Sequence, residues 1–137
     1  MRRTYIASFF VVVCLGCATT AEQQALVRPL PEDAPAAPYP QLLTRARAQA
    51  IAATEALYIE DWNECDEAGK ALEQTARFLN KATDVPSDQK DNLPVMAGDL
   101  GKEATTFREM ARMKDGDKAN EVLGRINHKL RRLKVKN

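Results

Sequence analysis

Histidine occurs once in this chain, at position 128, and cysteine three times, at 14, 17 and 65. So sparse a set leaves no zinc-ligand spacing and no Ser–His–Asp or Cys–His arrangement. No phosphate-cradling glycine loop or dinucleotide fingerprint is present either. Beyond the first residues, no run of β-branched or aromatic side chains alternates long enough for a strand. The uncharged apolar run 5–15 has eleven residues, well short of the roughly 20 that a bilayer-spanning helix needs. No catalytic constellation is visible, so enzymatic activity is not expected. With 137 residues, the chain is long enough for one domain.

What is present begins with the basic head Met1, Arg2 and Arg3. The apolar run follows, and then the small residues Gly16, Cys17, Ala18, Thr19 and Thr20. That order is the layout of a signal peptide. Gly16 and Ala18 are small enough to direct ordinary cleavage after Ala18, giving a soluble periplasmic or secreted protein. The stretch "CLGC", Cys14 to Cys17, resembles the lipobox of bacterial lipoproteins, in which a cysteine after a small residue becomes lipid-modified. The family prefers Leu where Cys14 stands. The resemblance implies lipidation at Cys17, residues 1–16 as leader, and a membrane partner reached through the lipid. Ala18, rather than Asp, follows the cysteine, which by resemblance to the bacterial sorting pattern implies the outer membrane.

Loss of Arg2 and Arg3 takes the 20 basic side chains to 18 against 19 acidic ones, a formal charge of −1. A near-neutral exported domain does not advertise nucleic-acid binding. Cys65 becomes the only thiol of the domain, so no internal disulfide is expected. Five of the seven prolines fall in "RPLPEDAPAAPYP". Proline fixes φ and lacks an N–H, so residues 17–40 read as a lipidated N-terminus and extended tether. The alternative is a segment that packs on the domain through Leu30 or Tyr39.

Residues 41–137 read as helical. The first stripe is Leu43, Ala46, Ala50, Thr54 and Leu57, on a helix over 41–60. Asp61 caps a second helix over 62–82, with Cys65, Ala68, Leu72, Ala76 and Leu79 on one face. A third helix over 91–113 carries Leu93, Met96, Leu100, Ala104, Phe107 and Ala111, with Pro94 in its first turn. Asp117 is the expected cap of the last helix, whose stripe is Ala119, Leu123, Ile126, Leu130 and Leu133. Four amphipathic helices with short connections predict an all-α fold, an antiparallel four-helix bundle. The segments "ALYIEDWNECDEA" and "ARMKDGDKANEVL" form a weak internal repeat. Two duplicated hairpins would produce it, and so would shared capping demands.

The helical part and its ending "INHKLRR" resemble the cytochrome c-prime and cytochrome b562 group, periplasmic bundles that bind haem. The resemblance implies His128 as ligand and Arg132 as the basic residue four positions beyond. The covalent-haem cysteines are replaced by Gly124 and Asn127, and no methionine occurs in 41–60. At about 100° per residue the last stripe spans roughly 80° and His128 faces almost opposite. No cofactor is therefore expected, and a haem-type sensing bundle is the alternative reading.

Three further features stand out. The acidic cluster of Glu60, Asp61, Glu64, Asp66 and Glu67 offers oxygen ligands to a cation, but acids at a helix start also favour the local dipole. Cys65 lies on an apolar stripe and reads as a small core residue. At the C-terminal end Arg125, Lys129 and Arg132 offer contact with an anionic polymer of the envelope. The chain as a whole reads as a non-enzymatic envelope lipoprotein with a structural role or an envelope-protein partner.

Overall fold

Caps and first-turn prolines set the helix boundaries in the computed structural model, which describes residues 19–134. In chain order the elements are α1 (Thr19–Val27), α2 (Tyr39–Tyr58), α3 (Trp62–Leu79), α4 (Leu93–Met113) and α5 (Gly116–Arg132). The expected leader 1–16, Cys17 and the cleavage point after Ala18 lie outside the described residues. Helices α2 and α4 each carry a proline in the first turn, where the missing N–H is one that any helix leaves without a partner. Asp61 caps α3 as expected, accepting the Glu64 N–H at 3.1 Å. Helix α5 is capped by Asp115 rather than Asp117, through the Lys118 N–H at 3.1 Å.

The shift from Asp117 to Asp115 has a backbone cause. Lys114 adopts a left-handed φ of 55° and ends α4, so the very next residue starts the new helix. Its N–H bonds Ala111 O at 3.0 Å, and the Asp115 N–H bonds Met110 O at 3.0 Å. The α2–α3 turn is built the same way. Glu60 also has φ 55°, with Glu60 N–H on Leu57 O at 3.1 Å and Asp61 N–H on Ala56 O at 2.9 Å. This paired closure satisfies carbonyls that a helix end leaves open. The likeness between the two sequence segments thus has a counterpart in two turns that close in the same way.

The stripes of α3 and α5 are buried along their whole length. In α4 Met96 is half-buried and the other expected positions are buried. In α2 the buried face is wider than expected. Leu42, Gln49, Ala53 and Ala56 join it, while Thr54 is exposed and bonds Ala50 O at 2.8 Å. Helix α2 packs on α3, α3 on α4, α4 on α5 and α5 back on α2. At the α3–α4 crossing Gly69 gives α4 room. A Cβ there would sit 2.6 Å from Arg108 Cγ and 3.2 Å from Phe107 Cδ1. The two short turns share one end of the domain, since a Cβ on Gly116 would lie 3.6 Å from Trp62 Cη2.

The four-helix bundle expectation is overturned: five helices are present among the described residues, and α1 rests on α2. Nor is the segment before α2 an extended tether. All of its prolines lie at 29 or later, so the proline-free stretch TTAEQQALV is free to form α1. Arg45 Nη1 then donates to the last carbonyls of α1 and its exit, Ala25 O, Leu26 O and Arg28 O, at 3.0, 3.1 and 2.6 Å. Residues 28–38 form a strap that joins α1 to α2 across the surface. The alternative, packing through Leu30 and Tyr39, is what is observed: Leu30 is half-buried and Tyr39 fully buried. No described helix is long and apolar enough to cross a membrane.

The left-handed corners yield a prediction. Glycine carries no Cβ penalty at positive φ, so Glu60→Gly and Lys114→Gly should each stabilise the domain by about 1 kcal/mol. Urea denaturation checks this, and a lower midpoint for both variants would show that the corners do not have this conformation.

Candidate functional site

A single buried side chain grips the proline strap near its start. Gln74, on α3 and 4 % exposed, accepts the Leu30 N–H on Oε1 at 2.7 Å. Its Nε2 donates to Leu30 O at 2.7 Å and to Glu32 Oε1 at 3.1 Å. One primary amide thus pairs with both backbone groups of one residue, as a neighbouring strand would. Glu32 also meets Arg77 at 3.5 Å. Beside the strap lies a cleft of about 350 Å³, rimmed by Lys70, Arg77 and Arg108.

The strap's far end is fixed to the α3–α4 connection. Thr83 N–H bonds Ala37 O at 3.1 Å and Tyr39 N–H bonds Thr83 O at 2.8 Å, a short parallel bridge. The Tyr39 hydroxyl donates to Gln89 Oε1 at 2.9 Å. Gln89 in turn donates from Nε2 to Lys134 O at 2.6 Å and accepts the Lys134 N–H at 3.2 Å. A second glutamine therefore grips backbone in the same manner. Burial, with the Asp88 charge assisting and Arg47 opposing, raises the Tyr39 pKa and keeps that donor protonated.

An ion-pair cluster forms the floor behind the cleft. Arg108, lying over Gly69, donates from Nε to Asp66 at 2.9 Å and from Nη1 to Glu73 at 2.8 Å. Arg112 reaches Asp66 at 3.3 Å. Burial pushes the Asp66 carboxyl upward, but hydrogen bonds and charge from Arg108 and Arg112 outweigh it and hold the pKa below the ordinary aspartate range. These groups tie α3 to α4, and their charges are matched rather than poised for proton transfer.

The residues singled out from sequence are not brought together. His128 is exposed on α5. Asp61 is occupied as a cap, Glu60 forms the left-handed corner and Glu64 is exposed. Among the described residues, no group of three or more His, Cys, Asp or Glu is placed to hold a metal ion. Arg125 is paired with Glu103 at 3.0 Å and Glu121 at 2.9 Å, and Lys129 with Glu103 at 3.9 Å. Of the three basic residues, Arg132 alone is in no ion pair among the described residues. Cys65 is a fully buried core residue as expected. Burial, then Asp61 and Glu64, pushes its thiol pKa up to about 11, so it lacks the thiolate character of a nucleophile.

Gln74, Arg77, Gln89 and Arg108 had no signal in the sequence. Each acts on a group 35 or more residues away, and none belongs to a spaced motif. Two more open clefts, of about 440 and 470 Å³, flank α1 where it crosses α2 and share Ile51. Comparison of the chain with family models, with curated proteins and with solved structures gave no match.

The Asp66 arrangement sets a pH dependence. A depressed carboxyl contributes stability that is fully present above the ordinary aspartate value of about 3.9 and is lost as pH falls through the lower folded value. Melting temperatures measured from pH 6 to 2 should therefore fall less steeply for Asp66→Asn than for the wild type. Parallel curves would remove Asp66 from the acid response.

Proposed function

We propose that this chain is a small envelope lipoprotein, anchored by lipid on Cys17, whose helical domain is a binding module rather than a catalyst. The observation that carries the anchor is the order of the first residues: a basic head, an eleven-residue apolar run and the Gly16–Cys17 pair. Ala18 after Cys17, by its resemblance to the bacterial sorting pattern, supports an anchor in the outer membrane facing the periplasm. The binding role is supported by how the polar side chains are used. Asp61 and Asp115 cap helices, Asp66, Glu73 and Glu103 pair with arginines, and Gln74 and Gln89 hold backbone. These uses build surfaces and clefts, and the domain's partner is an envelope protein.

A second reading, a periplasmic ligand-sensing domain, is favoured by the clefts of about 440 and 470 Å³ beside α1, which fall in the size range of small-molecule sites. Its haem form has no support from His128, which stands exposed on α5.

Metabolic labelling with a fatty acid tests the anchor. The wild-type protein should take up label and stay with the membrane fraction, and Cys17→Ser should lose both. Unlabelled wild-type protein released as a soluble chain cut after Ala18 would refute it.

A further inference from the structure

At Leu30 the strap is bound in the way that proteins bind a peptide backbone, although it belongs to the same chain, and it turns just beyond, where the Ala34 N–H bonds Pro31 O at 3.0 Å. Three kinds of recognition converge within a few residues. Gln74 reads backbone through the paired bonds to Leu30. The core reads an apolar side chain, since half-buried Leu30 packs against it. Arg77 and the Gln74 Nε2 read an acid two residues on, Glu32, at 3.5 and 3.1 Å. Pro29 and Pro31 flank Leu30. They lack N–H groups that would go unsatisfied and hold the backbone near the extended form before binding. The strap is held at its two ends by Arg45 on Arg28 O and by Thr83 N–H on Ala37 O, and Ala34 and Ala37 rest on the core; between these points Pro29, Pro31, Glu32, Asp33, Pro35 and Ala36 are exposed.

The groove also has room and charge that the strap leaves unused. The cleft of about 350 Å³ runs along the strap. On its rim Lys70 is exposed and joins no ion pair among the described residues, while Arg77, its side chain 57 % exposed, is shared between Glu32 at 3.5 Å and Glu73 at 3.4 Å. Lys70 fits an occupant that carries an acid where the strap has none in reach, since Glu32 meets Arg77 and Asp33 is exposed.

We infer that the α3 groove formed by Gln74, Arg77 and Lys70 is a recognition site for a proline-flanked acidic peptide of the pattern Leu-x-Glu/Asp on a partner protein, and that residues 29–36 of this chain occupy it until such a peptide displaces them. The inference rests on the binding-module reading and gives that reading its site and partner class. Displacement frees residues 29–36, while the Arg28 and Ala37 carbonyls stay on Arg45 and Thr83. The tethered strap competes as an intramolecular ligand at an effective concentration on the order of millimolar, so a partner must out-compete it or carry more charge.

The test uses the full chain with Cys17→Ser, so its outcome is independent of lipid anchoring. The probe is a fluorescein-labelled peptide of residues 28–37, RPLPEDAPAA, read by anisotropy. A strap-weakened chain carrying Leu30→Ser and Glu32→Lys should bind this peptide at least about ten-fold more tightly than the intact chain does. Gln74→Ala added to that chain should abolish binding. Arg77→Glu, at an exposed position that leaves the core untouched, should weaken it about five-fold or more. A peptide with Leu replaced by Ser should not bind. Absence of binding to the strap-weakened chain, or equal binding of both peptides, would overturn the inference. So would a wild-type dimer that dissociates on adding peptide, because the groove would then belong to a second copy's strap.

Discussion

The paired hydrogen bonds between the Gln74 amide and the backbone of Leu30 are the constraint on which the N-terminal half of the structure depends. The proline-rich strap has few N–H groups and cannot propagate a helix, so apart from the turn that the Ala34 N–H closes on Pro31 O its backbone needs partners elsewhere. Gln74 supplies both from one nearly buried side chain. Burying that amide without a partner would cost on the order of 1–3 kcal/mol, so strap and glutamine are mutually required. With Leu30 fixed, α1 is brought back onto α2, where Arg45 closes its C-terminal end.

Gln89 plays the matching part at the end where the chain enters and leaves the helices. It receives the Tyr39 hydroxyl and holds both backbone groups of Lys134, so entry and exit are tied through one amide. The opposite end is closed by the corners at Glu60 and Lys114, with Trp62 set against Gly116. Between the two ends, small residues on α2 and Gly69 on α3 let the helices approach closely, and Arg108 spans the α3–α4 seam. Strong local closure at the corners contrasts with the side-chain grip on the strap, which is the part able to exchange its partner.

Much of the fold was legible because it is local. The α3 and α5 stripes, the Asp61 cap, the Pro94 start, buried Cys65 and exposed His128 follow from spacing and propensity within a few residues. Helix α1 was hidden because the proline run behind it coloured the reading of the whole segment, although TTAEQQALV contains no proline. The Asp115 cap was missed because a lysine in the left-handed conformation gives no glycine signal. Glu103 lies on α4, a helix away from the Arg125 and Lys129 it neutralises, so a basic helix end read as free charge. The groove was illegible for the same reason: Gln74 and Leu30 are 44 residues apart, and only the tertiary fold makes them neighbours.

Docking of the strap is the feature on which the N-terminal half depends, and hydrogen exchange at one amide tests it most directly. The Leu30 N–H should exchange well below its unfolded rate in the intact chain. In Gln74→Ala it should return to about that rate while α3 and α4 core amides stay protected. A Leu30 amide that exchanges at the unfolded rate in the wild-type protein would contradict the account.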